Sequence, residues 1–295
     1  MWKRFFLFLS ILITFSTAKG AMYQMPSSGN DVIGHNEIVH IKAKDTIDKL
    51  AQEYEVSYHE LLEANPEINP KKLRVDTVVL IPLQFILPKY RQGIVINIPE
   101  LRLYYFTPDG KYIFTTPVGL GRSSWRTPTM TTLVIKKEMH PTWHAPKSII
   151  EYAAKNGHQI PEEIPPGNPD NPLGKYALYL GGEGYLIHGN NDQNSVGKYY
   201  SSGCIRLYNN AIETLYPMVA VGTIVHIIHS VNKAGWLDGK LYLESHRPVS
   251  GNGSNQDVQT QIQEIIKQHS ANIDWHQVNL VSKQQLGIPE FVSKE

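Results

Sequence analysis

The sequence predicts a mostly β protein with short helices: a small strand–helix–helix–strand module, a larger β-rich domain and a helical tail. Three observations point there. The chain has 295 residues, more than one ordinary domain holds. Its 22 glycines and 19 prolines fall between short apolar runs, the pattern of strands and turns. Its texture changes near Tyr90 and again after Pro248.

Residues 1–20 read as a secretory signal peptide. Lys3 and Arg4 precede an apolar run from Phe5 to Phe15, and the small residues Ser16, Thr17 and Ala18 follow. That run is shorter than the roughly 20 residues a spanning helix needs. Cleavage is expected after Ala18, with Gly20 or Ala21 as neighbouring sites and an uncleaved anchor as the alternative. Loss of Lys3 and Arg4 changes the balance from 28 basic and 27 acidic residues to 26 and 27. Bulk charge of that size gives nucleic acid nothing to bind.

The first folded unit spans residues 36–83. Ile38, Val39 and Ile41 form a strand, and Asp45 is placed to cap a helix carrying Ile47, Leu50, Ala51 and Tyr54 at helical spacing. A second helix with Tyr58, Leu61 and Leu62 stops at Asn65-Pro66, and Val78 to Ile81 returns as a strand ended by Pro82.

The second unit, residues 90–229, reads as a series of strands: Gly93–Ile98, Leu101–Phe106, Lys111–Thr116, Thr131–Lys136, Tyr176–Leu180, Tyr185–His188 and Thr223–Ile228. Asp109-Gly110 is a hairpin signal. A Pro-rich stretch from His140 to Pro172 interrupts the series; a connection of that length is either a substrate wall or a rigid crossover. Residues 230–295 form a C-terminal extension. It contains a Gly/Asn/Ser linker at Ser250–Asn255, an amphipathic helix with Val258, Ile262, Ile265 and Ile266 on one face, and a helix capped by Asp274 with Gln277 three residues on.

Chemistry gathers at two turns. Cys204 is the only cysteine, in the run Ser201-Ser202-Gly203-Cys204-Ile205-Arg206, sixteen residues after His188-Gly189. An exported lone thiol is an inert buried group, a partner for another chain, or a nucleophile. A nucleophilic thiol needs a base, and histidine, with an ordinary pKa near 6.5, takes the proton and later returns it to a leaving amine. Gly189 lets its carbonyl approach and hold the imidazole's other nitrogen. The small-residue turn before Cys204 lets amide groups converge as an oxyanion hole. His140 and His144 offer a metal-like spacing, but Pro141 breaks any single helix presenting both.

These residues resemble known families. Asp45-Thr46, Leu50-Ala51, Tyr54, Val56-Ser57, Leu61-Leu62, Asn65-Pro66, Leu73 and Ile81-Pro82 resemble a LysM module, with Lys44 and Asp76 standing where glycines are usual. Ile187-His188-Gly189, Ser195-Val196-Gly197 and Ser201 to Leu207 resemble the L,D-transpeptidase (YkuD) catalytic domain of the ErfK/YbiS type. Arg126-Thr127-Pro128, Pro141-Thr142-Trp143, Asn171 to Leu178 and Ala234 to Leu243 extend the likeness. The resemblance implies a periplasmic enzyme that needs no cofactor or metal and acts on the glycan strands and tetrapeptide stems of peptidoglycan. It implies Cys204 as nucleophile, His188 as general base and acid, the Gly189 carbonyl as the orienting group, and the Gly203 and Cys204 amides as oxyanion donors. Arg206 would brace the loop or hold a stem carboxylate. The acyl acceptor would be a second stem, giving a 3→3 cross-link, or a lysine of an outer-membrane lipoprotein. Water as acceptor would make a carboxypeptidase. Three positions depart from the pattern, Ser202 for histidine, Asn190 for threonine or serine, and Met130 for glycine; Ser202 and Met130 also motivate a wall-binding LysM protein with weak or lost catalysis.

Overall fold

A computed structural model describes residues 21–182, 184–249, 258–267 and 270–294. The signal segment at 1–20 and the linker Ser250–Asn255 lie outside the described residues. Among the described residues no helix is long and apolar enough to cross a membrane.

The small module is a two-stranded antiparallel sheet, Glu37–His40 against Val78–Ile81, crossed by helices α1 (Ile47–Tyr54) and α2 (Tyr58–Glu63). Its apolar spacing buries Ile47, Leu50, Val56 and Leu61 against Val79 and Ile81. The cap of α1 is Thr46, whose hydroxyl accepts from the Lys49 amide, one residue later than expected. Asp45 is spent on the preceding turn, accepting from the Lys42 amide at 2.8 Å. Ser57 and Glu60 close a reciprocal capping box on α2. Asn65 then ties the end of α2 to the returning strand, bonding Leu61 O and both the N–H and C=O of Leu80. Lys44 and Asp76 have φ of 70° and 65°, so both hold left-handed turns without a glycine.

The large domain is built on a nine-stranded sheet in the spatial order Ala21–Gln24, Tyr112–Pro117, Arg102–Phe106, Gly93–Asn97, Ile224–Ile228, Met130–Met139, Tyr176–Leu180, Leu186–His188 and Ile205–Arg206. Two contacts are parallel: Gly93–Asn97 with Ile224–Ile228, and Leu186–His188 with Ile205–Arg206. The strand expected last in sequence therefore lies mid-sheet. Met130, flagged as a loop departure, opens the long strand opposite Ile227. Strand residues Leu178, Ile187 and Ile205 bury against Ile212 and Leu215. Those two belong to α4 (Asn209–Met218).

The Pro-rich stretch is structured. Trp143–His144 pairs with Glu163–Ile164 around α3 (Lys147–Lys155), and the Asn171 amide donates to the carbonyls of Pro141, Ile164 and Pro165 to close the loop.

After the large sheet the chain forms a hairpin, Asn232–Leu237 with Lys240–Ser245. The sequence reading assigned no strands there, although Asp238-Gly239, both at positive φ, is the same signal as Asp109-Gly110. Helices α5 (Val258–Ile266) and α6 (Trp275–Gln284) pack back on this hairpin, burying Ile262, Val278 and Val281 with Trp236, Leu241 and Leu243. Asp274 caps α6 by accepting from the His276 and Gln277 amides; the Gln277 side chain reaches Glu290 instead of completing a box.

The three parts are locked by buried charge. Arg102 on the large sheet bonds both oxygens of Glu60 of α2 at 2.8 and 2.9 Å, with the ion pair fully desolvated. Glu63 of α2 bonds His246 after the hairpin, and His246 bonds Glu244 at 2.7 Å. Lys233 sits between Glu100 and Glu244, 2.8 Å from each. At the other edge of the same interface, a Cβ on Gly197 would meet Ser57 Cα at 2.6 Å, so the turn between α1 and α2 rests directly on backbone.

Candidate active site

Parallel pairing of Leu186–His188 with Ile205–Arg206 sets the site. His188 lies opposite Arg206 and Ile187 opposite Ile205, so Cys204 enters level with Leu186 and its side chain shares a sheet face with that of His188. The thiol is half-buried; it donates toward the Gly184 carbonyl at 3.8 Å and receives the Leu186 N–H. His188 is buried, with Nδ1 2.5 Å from the Gly189 carbonyl and the Pro172 carbonyl also facing the ring. Donation from Nδ1 to Gly189 leaves the lone pair on Nε2. By strand alternation thiol and imidazole project from one face, and among the described residues no hydrogen bond joins them. Such bonds commonly tighten only with substrate bound.

Electrostatics keep both groups neutral at rest. Burial, reinforced by the nearby Arg206 charge, pushes the His188 pKa down to about 3. Burial raises the Cys204 thiol, against the opposing pull of the Leu186 amide and Arg206. The proton therefore rests on sulfur, beside an unprotonated imidazole.

The glycine after His188 answers to packing. A Cβ on Gly189 would lie 2.5 Å from Asn209 Oδ1, which accepts the Asn190 N–H at 2.9 Å. Asn190 donates to Leu207 O at 2.6 Å, so this departure from threonine or serine clamps the His-Gly turn to the segment behind Cys204.

Two expected roles look different in three dimensions. The Gly203 N–H, anticipated as an oxyanion donor, is already given to Ser201 Oγ at 3.1 Å, and that hydroxyl donates to Cys204 O at 2.6 Å. An oxyanion at Cys204 would have to take the Gly203 amide from Ser201. Arg206 braces through its backbone, exchanging bonds of 2.8 and 2.9 Å with Gly119, while its half-buried side chain leaves Nε without a hydrogen-bond partner. Ser202, in the histidine position, points to solvent.

Sequence reasoning assigned no role to Thr127 or Pro172. Thr127 is buried; its hydroxyl donates to Gly203 O at 2.8 Å and accepts the Gly121 N–H, pinning the Cys204 turn from the facing loop. Pro172 brings the end of the Pro-rich stretch onto His188. Both fall in segments that carry the family resemblance, the one signal by which they were findable. Of the two histidines weighed as metal ligands, His144 has an acidic partner after all, Glu163 at 3.0 Å across its hairpin, in an exposed pair. The one metal-like donor cluster among the described residues, Glu100, Glu244 and His246, already holds the Lys233 ammonium between its carboxylates.

Comparisons with known proteins fall on the same regions. A family model for the L,D-transpeptidase catalytic domain matches residues 91–227, and one for the LysM domain matches residues 39–82. The Escherichia coli K12 protein named "Probable L,D-transpeptidase YcfS" is 37% identical over 257 residues, covering 84% of this chain and 80% of its own. The same organism's "Probable L,D-transpeptidase ErfK/SrfK" is 34% identical over 296 residues, covering 96% and 94%. Among solved structures, the catalytic domain of an E. faecium L,D-transpeptidase is 21% identical over 48% of this chain, with a TM-score of 0.36.

Proposed function

This chain belongs to the L,D-transpeptidase family, and on that premise we propose that it is a periplasmic acyltransferase that works on peptidoglycan stems through a Cys204 thioester. The observation that carries this reading is the pairing of the chain's single thiol, accessible at a turn, with a buried neutral imidazole on the same sheet face.

The steps follow from the groups present. His188 Nε2 takes the thiol proton as Sγ attacks the carbonyl carbon at the L-centre of the third stem residue. The tetrahedral oxyanion collapses, the bond to the terminal D-alanine nitrogen breaks, and His188 returns the proton to that amine. An acceptor amine then attacks the thioester, gives its proton to His188 and releases the thiol. A neighbouring stem as acceptor gives a 3→3 cross-link; a lipoprotein lysine gives a wall attachment; water gives a carboxypeptidase. The neutral resting pair suits a site that meets amines, because a base without a proton is ready to receive one.

The LysM unit would hold the glycan. Its loops around Lys44 and between Lys71 and Asp76 stay exposed while the turn between α1 and α2 is covered by the large domain, so the groove between those loops remains open to a strand containing N-acetylglucosamine.

The test is incubation of the protein with purified muropeptides, with and without a lipoprotein peptide, comparing wild type with Cys204→Ala. Expected are an acyl adduct on Cys204 and amine-dependent products in wild type, both absent in the variant. Turnover that survives in Cys204→Ala would sink the mechanism.

A further inference from the structure

The turn that carries Cys204 is flanked by two arginines for which the described residues supply no carboxylate within ion-pair distance. Arg206 lies on one side: its Nε is buried without a hydrogen-bond partner, and burial lowers its pKa against the opposing pull of Cys204 and Asp192, with Arg122 adding repulsion. Arg122 lies on the other. Its backbone N–H donates to Ser201 O at 3.0 Å, fixing its loop to the nucleophile turn three residues before Cys204. Its Cζ lies 4.6 Å from the Trp125 ring centre and 5.2 Å from that of Tyr152, two rings that meet edge to face at 5.1 Å. Tyr152 comes from α3, so the Pro-rich stretch completes this platform.

Aromatic faces hold a guanidinium flat without consuming its donors, and a flat guanidinium offers two parallel N–H groups to a planar anion. Arg122 spends Nε on Ser124 Oγ at a long 3.3 Å. Two like charges beside a nucleophile repel each other, and the arrangement relaxes when an anion enters.

We propose that Arg122, backed by Trp125 and Tyr152, is a carboxylate subsite. It receives a carboxylate of the donor peptide away from the scissile bond, and makes the protein select donors in which that group is free over donors in which it is a carboxamide. This deepens the acyl-transfer reading above and rests on it.

The experiment measures the rate of adduct formation on Cys204 of the full-length protein by intact mass. Three tetrapeptide donors are compared: all carboxylates free, the second-residue carboxylate amidated, and the third-residue side-chain carboxylate amidated. One amidated donor should acylate roughly 10- to 100-fold more slowly than the free donor, as expected for loss of a hydrogen bond to a charged group, and its identity reports which carboxylate Arg122 receives. Arg122→Gln should bring the free donor down to that slow rate and leave the amidated donor unchanged. Arg122→Lys should recover part of the preference, having the charge without the fork. Equal rates for all three donors on wild type would overturn the subsite and leave acyl transfer standing. No adduct with any donor would overturn acyl transfer itself. A preference that persists in Arg122→Gln would remove Arg122 from the role; should that variant fail to fold, the wild-type donor comparison decides alone.

Discussion

The interface among the three parts and the cleft around Cys204 treat charge in opposite ways. At the interface Arg102 meets Glu60, Lys233 meets Glu100 and Glu244, and His246 meets Glu244 and Glu63, all buried. In the cleft Arg122 and Arg206 have no such partners among the described residues, and the imidazole and thiol are both held neutral. A desolvated charge without a partner is costly, so a fold keeps one where something arriving from outside will answer it. Charge answered internally ties the parts of this molecule together; on the proposed carboxylate subsite, charge left open is what it offers to substrate.

That contrast breaks if the two regions respond alike to mutation. The largest effect should come from His188→Ala: acylation of Cys204 falls by roughly 10²- to 10⁴-fold in a stopped mass assay, the usual contribution of a positioned base. A rate within threefold of wild type would show that the base lies elsewhere. Arg102→Ala strands the Glu60 carboxylate and should cost about 3–5 kcal/mol in urea unfolding, as for other broken buried pairs. An unchanged midpoint would mean that the interface does not bear on stability. Smaller again is Thr127→Val, which removes the pin on Gly203 and leaves the Gly121 amide unmet. A loss of about 1–3 kcal/mol is expected, with kcat falling more than KM because the turn, not the donor site, is loosened.

The subtlest effect is pH dependence. Burial alone would depress His246, but its bonds to Glu244 and Glu63 prevail and its pKa is pushed up to about 10. Folding therefore gains from the protonated ring, fully below the ordinary value near 6.5, and loses that gain as pH rises toward 10. His188, pushed down to about 3, acts at the other end: the unfolded chain takes up its proton first, so stability drains as pH falls from 6.5 toward 3. His246→Gln should flatten the alkaline limb of a melting-temperature profile and leave the acid limb in place. Equal slopes on the alkaline side would contradict the assignment.

Much of this was legible in the chain, for identifiable reasons. The strands, the helical periods of α1 and α2 and the Asp274 cap are local patterns, and local patterns are written in consecutive residues. His188 and Cys204 stand out together because the motifs around them, His188-Gly189 and Ser201 to Leu207, resemble one family's; the parallel return that sets Ile187 opposite Ile205 and His188 opposite Arg206 is not written in their spacing. What escaped was decided at a distance. Asp45 and Thr46 are equally good caps on paper, and only the Lys42 amide claims the first. The Asp238-Gly239 turn was passed over beside a tail that reads as helical. Ser201 holding the Gly203 amide, Thr127 reaching across 76 residues to its carbonyl, and Pro172 facing the imidazole are tertiary facts that no spacing announces.

One contact carries a consequence for the wall. With Ser57 seated on the bare backbone of Gly197, and Asp48 of α1 paired with Lys198 beside it, the LysM unit hangs on no tether. The span from its open loops to the thiol is a fixed dimension of the molecule, like the gap of a caliper. On the proposed function, a glycan strand held by those loops would present its stems to Cys204 at one offset, set by the fold and not by the reach of a linker.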